Sequence, residues 1–297
     1  MNVYLCHPRR SAIGRYGGGL APIRPDDLLA QVIQAVLAQC PDMPAEQIDD
    51  AFFGCANQAG EDNRNVARMA TLLAGLPHSV PATTINRLCG SGMDAVGLAY
   101  RTILAGEADI ILAGGVESMS RAPFVMGKSS GAYDRAQTLE DTTMGWRFIN
   151  PALQQQYGTE TMPETAENVA ERFAISRQAQ DEFACLSQQK AAAAQESGRF
   201  AKEITPVSYQ PRRGDKVVVG QDEHLRPQTT LEALAKLKAP FRANGSVTAG
   251  NASGINDGAA AMLVASESAV ERYNLQPVAQ IKGMATAGVE PGVMGIG

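Results

Sequence analysis

Short apolar runs alternate with amphipathic helical patterns in the first part of the chain, and few folds accommodate that alternation. The apolar runs have the length of strands, and they lie at residues 3–6, 51–55, 82–85 and 109–113. Helical patterns separate them at residues 26–40 and 64–74, the first introduced by Pro25 and Asp26. This order predicts a layered α/β structure rather than an all-α or all-β fold.

A long polar block interrupts the alternation between residue 122 and about residue 247. It is rich in Gly, Ser, Asp and Thr, and its main regular feature is a helical pattern at 164–196 that Ser176 divides in two. The block is too long for a simple connection, so it predicts an inserted domain. Strand and helix patterns return at 259–265, 267–273 and 278–284. The predicted domains are an N-terminal core at 1–121, an inserted domain at 122–254, a return to the core at 255–276 and the start of a second core at 277–297.

The charge balance and the cysteines exclude several classes of function. The net charge is −5 and Lys and Arg are not clustered, which disfavours a nucleic-acid partner. No signal-peptide core and no apolar run of roughly 18 residues is present, so we expect a cytoplasmic protein without a membrane partner. The five cysteines show neither CxxC spacing nor a nearby histidine pair, so we expect free thiols and no metal site.

The most informative stretch is TTINRLCGSGM at residues 83–93. A β-branched strand leads into a short turn, then Cys89, then glycines at 90 and 92, which leave room for a substrate. At a strand-to-helix turn, free backbone N–H groups and the helix dipole favour a thiolate, the nucleophilic form of cysteine. The alternative is a buried cysteine on a tight turn, and the residues alone leave both open. The apolar face predicted for the following helix consists of Met93, Val96, Tyr100, Ile103 and Leu104.

The sequence NRLCGSGMDAV, which contains Cys89, resembles the nucleophile motif of the thiolases. Four further blocks agree with it: GGVESMSRAPF at 114–124, ETAENVA at 164–170, FRANGSVTAGNASGINDGAAA at 241–261 and ATAGVEPGVMGIG at 285–297. Within the family, GCANQAGEDNRNVARMATLLAGLP and MGWRFINP are most similar to the 3-oxoadipyl-CoA thiolases of aromatic-acid breakdown. The resemblance covers essentially the whole chain and implies the thiolase-like layered αβαβα fold.

The resemblance also implies roles for individual residues. Cys89 matches the cysteine that attacks a 3-oxoacyl-CoA and carries the acyl group, so the products are acetyl-CoA and a shortened acyl-CoA, here succinyl-CoA. Coenzyme A is then a co-substrate, no cofactor is permanently bound, and a homodimer or homotetramer is expected. The residues at positions similar to the family's coenzyme A site are Met162, Arg226, Phe241, Ala249 and Ser253.

The chain also departs from the family pattern. Thiolases carry an Asn in an NEAF motif, a His in a GHP motif and a second Cys near a CxG motif, and none of these occurs in the 297 residues. His7, His78 and His224 lie in other contexts and are expected to be structural or solvated. We therefore expect a longer thiolase, of which these residues alone show negligible thiolysis. The alternatives are a biosynthetic acetoacetyl-CoA thiolase and a non-catalytic piece that binds coenzyme A or dimerises.

The acyl chain of 3-oxoadipyl-CoA ends in a carboxylate, which a specialised pocket should meet with a cation. Arg64 and Arg68 in GEDNRNVAR are the candidates. The alternative is that both lie on an exposed helix face and pair with Glu61 or Asp62.

Overall fold

The computed structural model describes residues 2–297, which form two compact units. The strands are β1 (Val3–Arg10), β2 (Gly14–Arg15), β3 (Asp50–Gly54), β4 (Thr83–Ile85), β5 (Ile110–Ser118), β6 (Phe124–Met126), β7 (Leu139–Asp141), β8 (Val207–Tyr209), β9 (Val217–Val219), β10 (Asn256–Ser266) and β11 (Pro277–Ile281). The α-helices are α1 (Pro25–Leu37), α2 (Val66–Leu73), α3 (Ser91–Leu104), α4 (Pro151–Tyr157), α5 (Met162–Arg172), α6 (Arg177–Glu196), α7 (Leu231–Ala235) and α8 (Glu267–Arg272).

The first unit is built on a seven-stranded sheet in the order β11-β1-β10-β5-β3-β4, with β2 paired to β10. β3 runs parallel to β4 and to β5, whereas the other pairs are antiparallel. The carboxyl ends of β3, β4 and β5 therefore meet at one edge of the sheet, where the turns that follow them lie side by side.

Helices cover both faces of this sheet because successive strand residues point to opposite sides. Phe53 and Leu112 face a core that includes α1 and α2, whereas Phe52 and Ile111 face a core that includes α3. Strands buried on both faces read as continuous apolar runs, which is the pattern found in the sequence. The predicted layered α/β organisation is confirmed for this unit.

The buried face of α3 differs from the predicted one. Ala95, Ala99 and Ile103 pack against the sheet, whereas Met93 is 72% exposed and Leu104 is 43% exposed. Small side chains on the buried face let the helix approach the sheet closely, and an apolar pattern that counts only large residues misses them. The prediction for Met93 and Leu104 was wrong.

The second unit contains the β6–β7 hairpin and helices α4 to α7. The division of its long helical pattern is confirmed, because the Ser176 hydroxyl caps α6 by accepting the Ala179 N–H at 3.2 Å. A 3₁₀ helix at Pro291–Ile296 packs on α5, where the Asn168 side chain donates to the Gly292 carbonyl at 2.8 Å. Within residues 2–297, no helix has both the length and the apolar character needed to span a membrane.

The two units differ from the predicted domains inside the insertion and after residue 276, whereas the outer bounds predicted for the insertion, 122 and 254, lie within one residue of the unit bounds. The first unit comprises residues up to Ala122, Ala201–Glu223 and Asn256–Met284, and the second comprises Pro123–Phe200, His224–Ile255 and Ala285–Gly297.

Residues 201–223 lie in the first unit rather than in the predicted insertion at 122–254. Their β8–β9 hairpin buries Val207 and Val219 in the core of the first unit, and the Ser208 N–H bonds to Gln31 on α1 at 2.8 Å. The predicted start of a second core at 277–297 is also divided. Its strand β11 pairs with β1, because β1 offers it a free edge, and residues 285–297 fall in the second unit.

Candidate active site

Cys89 lies on the turn between β4 and α3. Gly90 is the N-cap residue of α3 and Ser91 is its first residue, so Cys89 directly precedes the N-cap. The backbone N–H groups of Gly90 and Ser91 donate to the carbonyls of Arg87 and Leu88, both at 3.1 Å. The Ser91 hydroxyl accepts the Arg87 N–H at 2.8 Å and donates to the Leu88 carbonyl. Hydrogen bonds therefore close the turn on both sides of the cysteine.

The start of α3 approaches the sheet closely because the facing residue of β3 is a glycine. A Cβ atom on Gly54, the last residue of β3, would overlap the backbone of Ser91 and Gly92. A Cβ atom on Gly92 would lie 3.6 Å from the carbonyl oxygen of Gly114 on β5. That distance is an ordinary van der Waals contact, so the close approach requires a glycine at position 54 and not at position 92. The room that Gly92 leaves for a substrate stays a prediction.

Cys89 differs from the other four cysteines in exposure. Cys6, Cys40, Cys55 and Cys185 are between 0% and 7% exposed, whereas Cys89 is the only exposed cysteine among residues 2–297. Burial raises the pKa of the Cys6 thiol to about 11 and also raises the pKa of Cys40 and of Cys55. The alternative of a buried cysteine at position 89 was wrong, and its sulfur is open to a reagent from solution.

The three histidines have separate surroundings. His7 is buried with its Nε2 accepting the Gln276 N–H at 3.2 Å, and burial lowers its pKa, so the ring is neutral. His78 is exposed, and neither it nor His7 hydrogen bonds with Cys89. In the second unit the His224 ring lies against Gly254, with Nε2 at 3.4 Å from the Ile255 carbonyl.

The two candidate arginines for the substrate carboxylate have different surroundings. Arg64 is exposed, has a φ of 63°, and forms no hydrogen bond or ion pair with residues 2–297. It directly precedes Asn65, the N-cap of α2. Arg68 instead donates to the carbonyls of Val80 and His78, the latter at 3.1 Å, and so holds the segment after α2. Of the two, Arg64 is the one whose guanidinium is available to a ligand.

The carboxylates offered as alternative partners of these arginines bind elsewhere. Glu61 pairs with Arg24 at 3.1 Å and with Arg121, whose hydrogen bond lowers the pKa of Glu61. Asp62 is buried and accepts the Cys55 thiol at 3.7 Å. The alternative in which Glu61 or Asp62 pairs with the two arginines was wrong.

Cys55, Asp62 and Glu117 place ligand-type atoms within 4.8 Å of one another. The Glu117 carboxylate accepts the backbone N–H groups of Ala56 at 2.8 Å and Asn57 at 3.2 Å, and the Asp62 carboxylate accepts the Cys55 thiol. Hydrogen bonds thus account for this group of side chains, and the absence of a metal stays a prediction.

The residues expected to contact coenzyme A share two properties. All of them belong to the second unit, and all are exposed, Met162 by 55% and Phe241 by 40%. They are Met162, Arg226, Phe241, Ala249 and Ser253. An exposed thioether, an exposed aromatic ring and a guanidinium suit a ligand with apolar and phosphate parts.

Buried polar groups hold the loop that carries two of these residues. Glu167 on α5 is 4% exposed, and its carboxylate accepts the backbone N–H groups of Ser246 at 2.8 Å and Val247 at 2.7 Å. Burial opposes the charge, but these bonds outweigh it, so the pKa of Glu167 is lowered. Ala249 lies two residues after Val247, so these bonds help to place it.

A second contact holds the same loop further along. The Asn251 side chain accepts the Thr248 N–H at 2.7 Å and donates to Asp181 on α6 at 3.0 Å. Asp181 is 5% exposed and pairs with Arg177 at 2.8 Å. Helices α5 and α6 thus both hold the loop. Ser253 lies in the same loop, two residues after Asn251.

The residues that support these sites are not among those predicted from the sequence. They are Asn86, Ser91, Glu117, Glu167, Asp181 and Asn251. Asn86 and Ser91 bracket a predicted turn, and Asn or Ser at such positions is a signal for bonds to the backbone. The carboxylates had no such signal, because their partners are distant in sequence.

Known proteins match essentially the whole chain. The model of the thiolase N-terminal domain matches residues 3–268. The chain is 61% identical over 294 residues to the 3-oxoadipyl-CoA/3-oxo-5,6-dehydrosuberyl-CoA thiolase of Escherichia coli strain K12, covering 99% of this chain and 73% of that protein. It is 59% identical to the beta-ketoadipyl-CoA thiolase of Pseudomonas putida, covering 100% of this chain and 74% of that protein. These names agree with the acyltransferase class predicted from the sequence.

Solved structures give the same result for the fold. The crystal structure of the Bacillus anthracis acetyl-CoA acetyltransferase superposes with a TM-score of 0.91 at 39% identity, covering 100% of this chain and 73% of that one. Human mitochondrial 3-ketoacyl-CoA thiolase in complex with CoA superposes with a TM-score of 0.88 at 37% identity, covering 100% and 72%. The predicted thiolase-like α/β fold is confirmed. The chain belongs to the thiolase family.

Proposed function

We propose that Cys89 takes the acyl group from a 3-oxoacyl-CoA and passes it to coenzyme A, with 3-oxoadipyl-CoA as the substrate. The observation that carries the proposal is the exposed Cys89 thiol on a closed strand-to-helix turn, when the four other cysteines are buried. A nucleophile needs a sulfur that is both held in place and reachable, and position 89 meets both conditions.

The proposed reaction has two acyl-transfer steps. The Cys89 sulfur attacks the C3 carbonyl of the substrate, the C2–C3 bond breaks, and the departing carbon takes up a proton to give acetyl-CoA. The sulfur of a second coenzyme A then attacks the acyl thioester, which yields succinyl-CoA and returns the Cys89 thiol. The family resemblance assigns the proton transfers to residues of the GHP and CxG motifs, so nucleophilic attack is the part assigned to this chain.

We assign coenzyme A binding to the second unit. Met162 and Phe241 are suited to its adenine or pantetheine parts, and Arg226 to a phosphate. Ala249 and Ser253 supply small side chains where the ligand approaches the backbone. One similar solved structure is a complex with CoA, which supports this assignment without locating the ligand here.

The substrate assignment rests on the relatives named for beta-ketoadipyl-CoA, which reach 57–61% identity, against 44% for a probable acetyl-CoA acyltransferase of Staphylococcus epidermidis. We also propose a cytoplasmic homodimer or homotetramer. Free thiols at all five cysteines fit a reducing compartment. Analytical ultracentrifugation of the protein would give its assembly state, and a monomer at micromolar concentration would contradict this part.

The function can be tested by its second half-reaction in reverse. The protein is incubated with succinyl-CoA at about pH 8.5, where a free thiol ionises without a base. Peptide mass spectrometry should then find a hydroxylamine-sensitive succinyl group on Cys89 and none on Cys185. The matched control is Cys89→Ala, which should carry no label. Labelling of other cysteines instead of Cys89 would contradict the acyl-transfer proposal, and equal labelling by acetyl-CoA would contradict only the substrate.

Substitution of Arg64 tests the substrate carboxylate. Arg64→Ala should lower the rate of acylation by succinyl-CoA relative to acetyl-CoA about threefold to tenfold, the effect of losing one exposed ion pair of about 1 kcal/mol. Arg64→Lys keeps the charge and the backbone geometry and should retain most of the preference. An equal loss with both donors would remove Arg64 from the site.

A further inference from the structure

Hydrogen bonds form a row across the carboxyl ends of three adjacent parallel strands. Glu117 lies near the end of β5, and its carboxylate accepts the N–H groups of Ala56 at 2.8 Å and Asn57 at 3.2 Å, just after β3. The row continues to the segment after β4, where the Asn86 Nδ2 donates to the Ala56 carbonyl at 2.9 Å. Three segments that are distant in sequence are thereby linked at the edge where Cys89 lies.

Asn86 extends the row into the turn that holds the nucleophile. Its Oδ1 accepts the Leu88 N–H at 2.9 Å, so one side chain binds the neighbouring strand's segment with its nitrogen and the turn with its oxygen. Leu88 is the residue before Cys89, and its backbone conformation therefore determines where the Cys89 side chain is placed.

The backbone of Leu88 requires such support. Its φ is 48°, a left-handed conformation that L-residues with a Cβ disfavour. Its side chain is 64% exposed, so core packing does not impose the conformation. The bonds from Asn86 and from Ser91 are what hold Leu88 in this geometry. Ser91 acts from inside α3, whereas Asn86 connects the turn to the rest of the sheet edge.

We propose that Asn86 and Glu117 are positioning residues that hold the Cys89 thiol in its reactive geometry through the Ala56–Asn57 peptide and the Leu88 backbone. This proposal rests on the proposed function of Cys89. Neither side chain needs to contact substrate. Each acts by keeping the left-handed turn in register with the neighbouring strands, so that the sulfur stays at the start of α3.

The test measures the rate at which iodoacetamide alkylates Cys89, as a function of pH, by peptide mass spectrometry. The four buried cysteines make the signal specific to one sulfur. Asn86→Ala removes both bonds, Asn86→Asp keeps the acceptor for Leu88 but loses the donor to Ala56, and Glu117→Gln keeps the size of the side chain but can accept only one of its two N–H donors. Asn63→Ala is the control, because Asn63 is exposed and, within residues 2–297, forms hydrogen bonds only to Gly60 in the same loop.

We expect Asn86→Ala to lower the rate of Cys89 alkylation at pH 7 about fivefold to tenfold, because the turn that holds the sulfur loses both bonds of Asn86. Asn86→Asp and Glu117→Gln should lower the rate by intermediate factors, and Asn63→Ala should not change it. If Asn86→Ala does not fold, the other two variants decide. Profiles of Asn86→Asp and Glu117→Gln that match the unsubstituted protein would overturn the proposal, because the cross-strand link would then have no effect on the thiol.

The succinyl-CoA assay separates this proposal from the function on which it rests. If Cys89 of the unsubstituted protein takes up no succinyl group, the proposed function is overturned and the positioning role with it. If Cys89 is acylated, and Asn86→Asp and Glu117→Gln are alkylated at the rate of the unsubstituted protein, only the positioning role is overturned.

Discussion

Gly54→Ala should destabilise the first unit by about 3 kcal/mol and reduce the reactivity of Cys89 in the same protein. The new Cβ would overlap the backbone of Ser91 and Gly92, which cannot rotate away as a flexible side chain could. Either β3 or the start of α3 must move, and the turn that carries Cys89 moves with α3. Urea unfolding followed by far-ultraviolet circular dichroism gives the stability, and iodoacetamide alkylation gives the reactivity.

Gly283→Ala is the matched control for this substitution. Gly283 belongs to the same unit, has open space around the position of a Cβ, and does not have a left-handed backbone. Its replacement should change the free energy of unfolding by less than about 0.5 kcal/mol. If the two alanine variants behaved alike in both measurements, the close approach of β3 and α3 would not constrain the nucleophile.

Glu167→Ala should destabilise the second unit by about 3 kcal/mol and weaken coenzyme A binding. It removes the acceptor of two backbone N–H groups, at Ser246 and Val247, and leaves these donors unpaired in a buried place. The loop that carries Ala249 then loses one of its two supports. The fluorescence of Trp146, the only tryptophan, reports unfolding of this unit, and isothermal titration calorimetry with coenzyme A reports binding.

Glu171→Ala serves as the control because it lies one turn further along the same helix. Its carboxylate is 81% exposed and pairs with Arg242 at 3.3 Å, so its loss should cost less than about 1 kcal/mol. Unchanged stability and unchanged binding in Glu167→Ala would show that Asn251 alone holds the loop.

The lowered pKa of Glu167 adds a pH dependence with a defined sign. A carboxyl whose pKa is lower in the folded state stabilises the protein above its unfolded pKa, near 4.3, and this contribution is lost as the pH falls through the folded value. Between about pH 5 and pH 3 the second unit should therefore lose stability more steeply in the unsubstituted protein than in Glu167→Ala. Parallel curves would contradict this assignment.

Regular elements of the first unit could be predicted from local patterns. The runs at 51–55 and 109–113 correspond to β3 and β5, and the pattern at 26–40 corresponds to α1, because both faces of the sheet are buried and the helix has one apolar stripe. The hairpin of β8 and β9 could not be assigned to this unit. Each of its strands has three residues, too few for a periodic signal, and only tertiary packing places Val207 and Val219 in the core.

Only part of the candidate site could be predicted from the sequence. The position of Cys89 before a helix followed from the strand, the turn and the glycines around it. The resemblance to thiolases then supplied its role. The contributions of Glu117 and Glu167 did not follow, because each carboxylate binds backbone groups roughly 60 to 80 residues away along the chain. Side-chain bonds of that span depend on the folded topology and leave no local pattern.

The uneven burial of the five cysteine thiols has a practical consequence. A maleimide-linked fluorophore or a nitroxide spin label added to the folded protein should react at Cys89 in preference to the four buried cysteines among residues 2–297. The attached probe would report on the surroundings of the turn before α3. Protection of Cys89 from labelling by a bound ligand could be followed without a turnover assay. Peroxide would be expected to damage the same atom first, since the other four thiols are shielded by the fold.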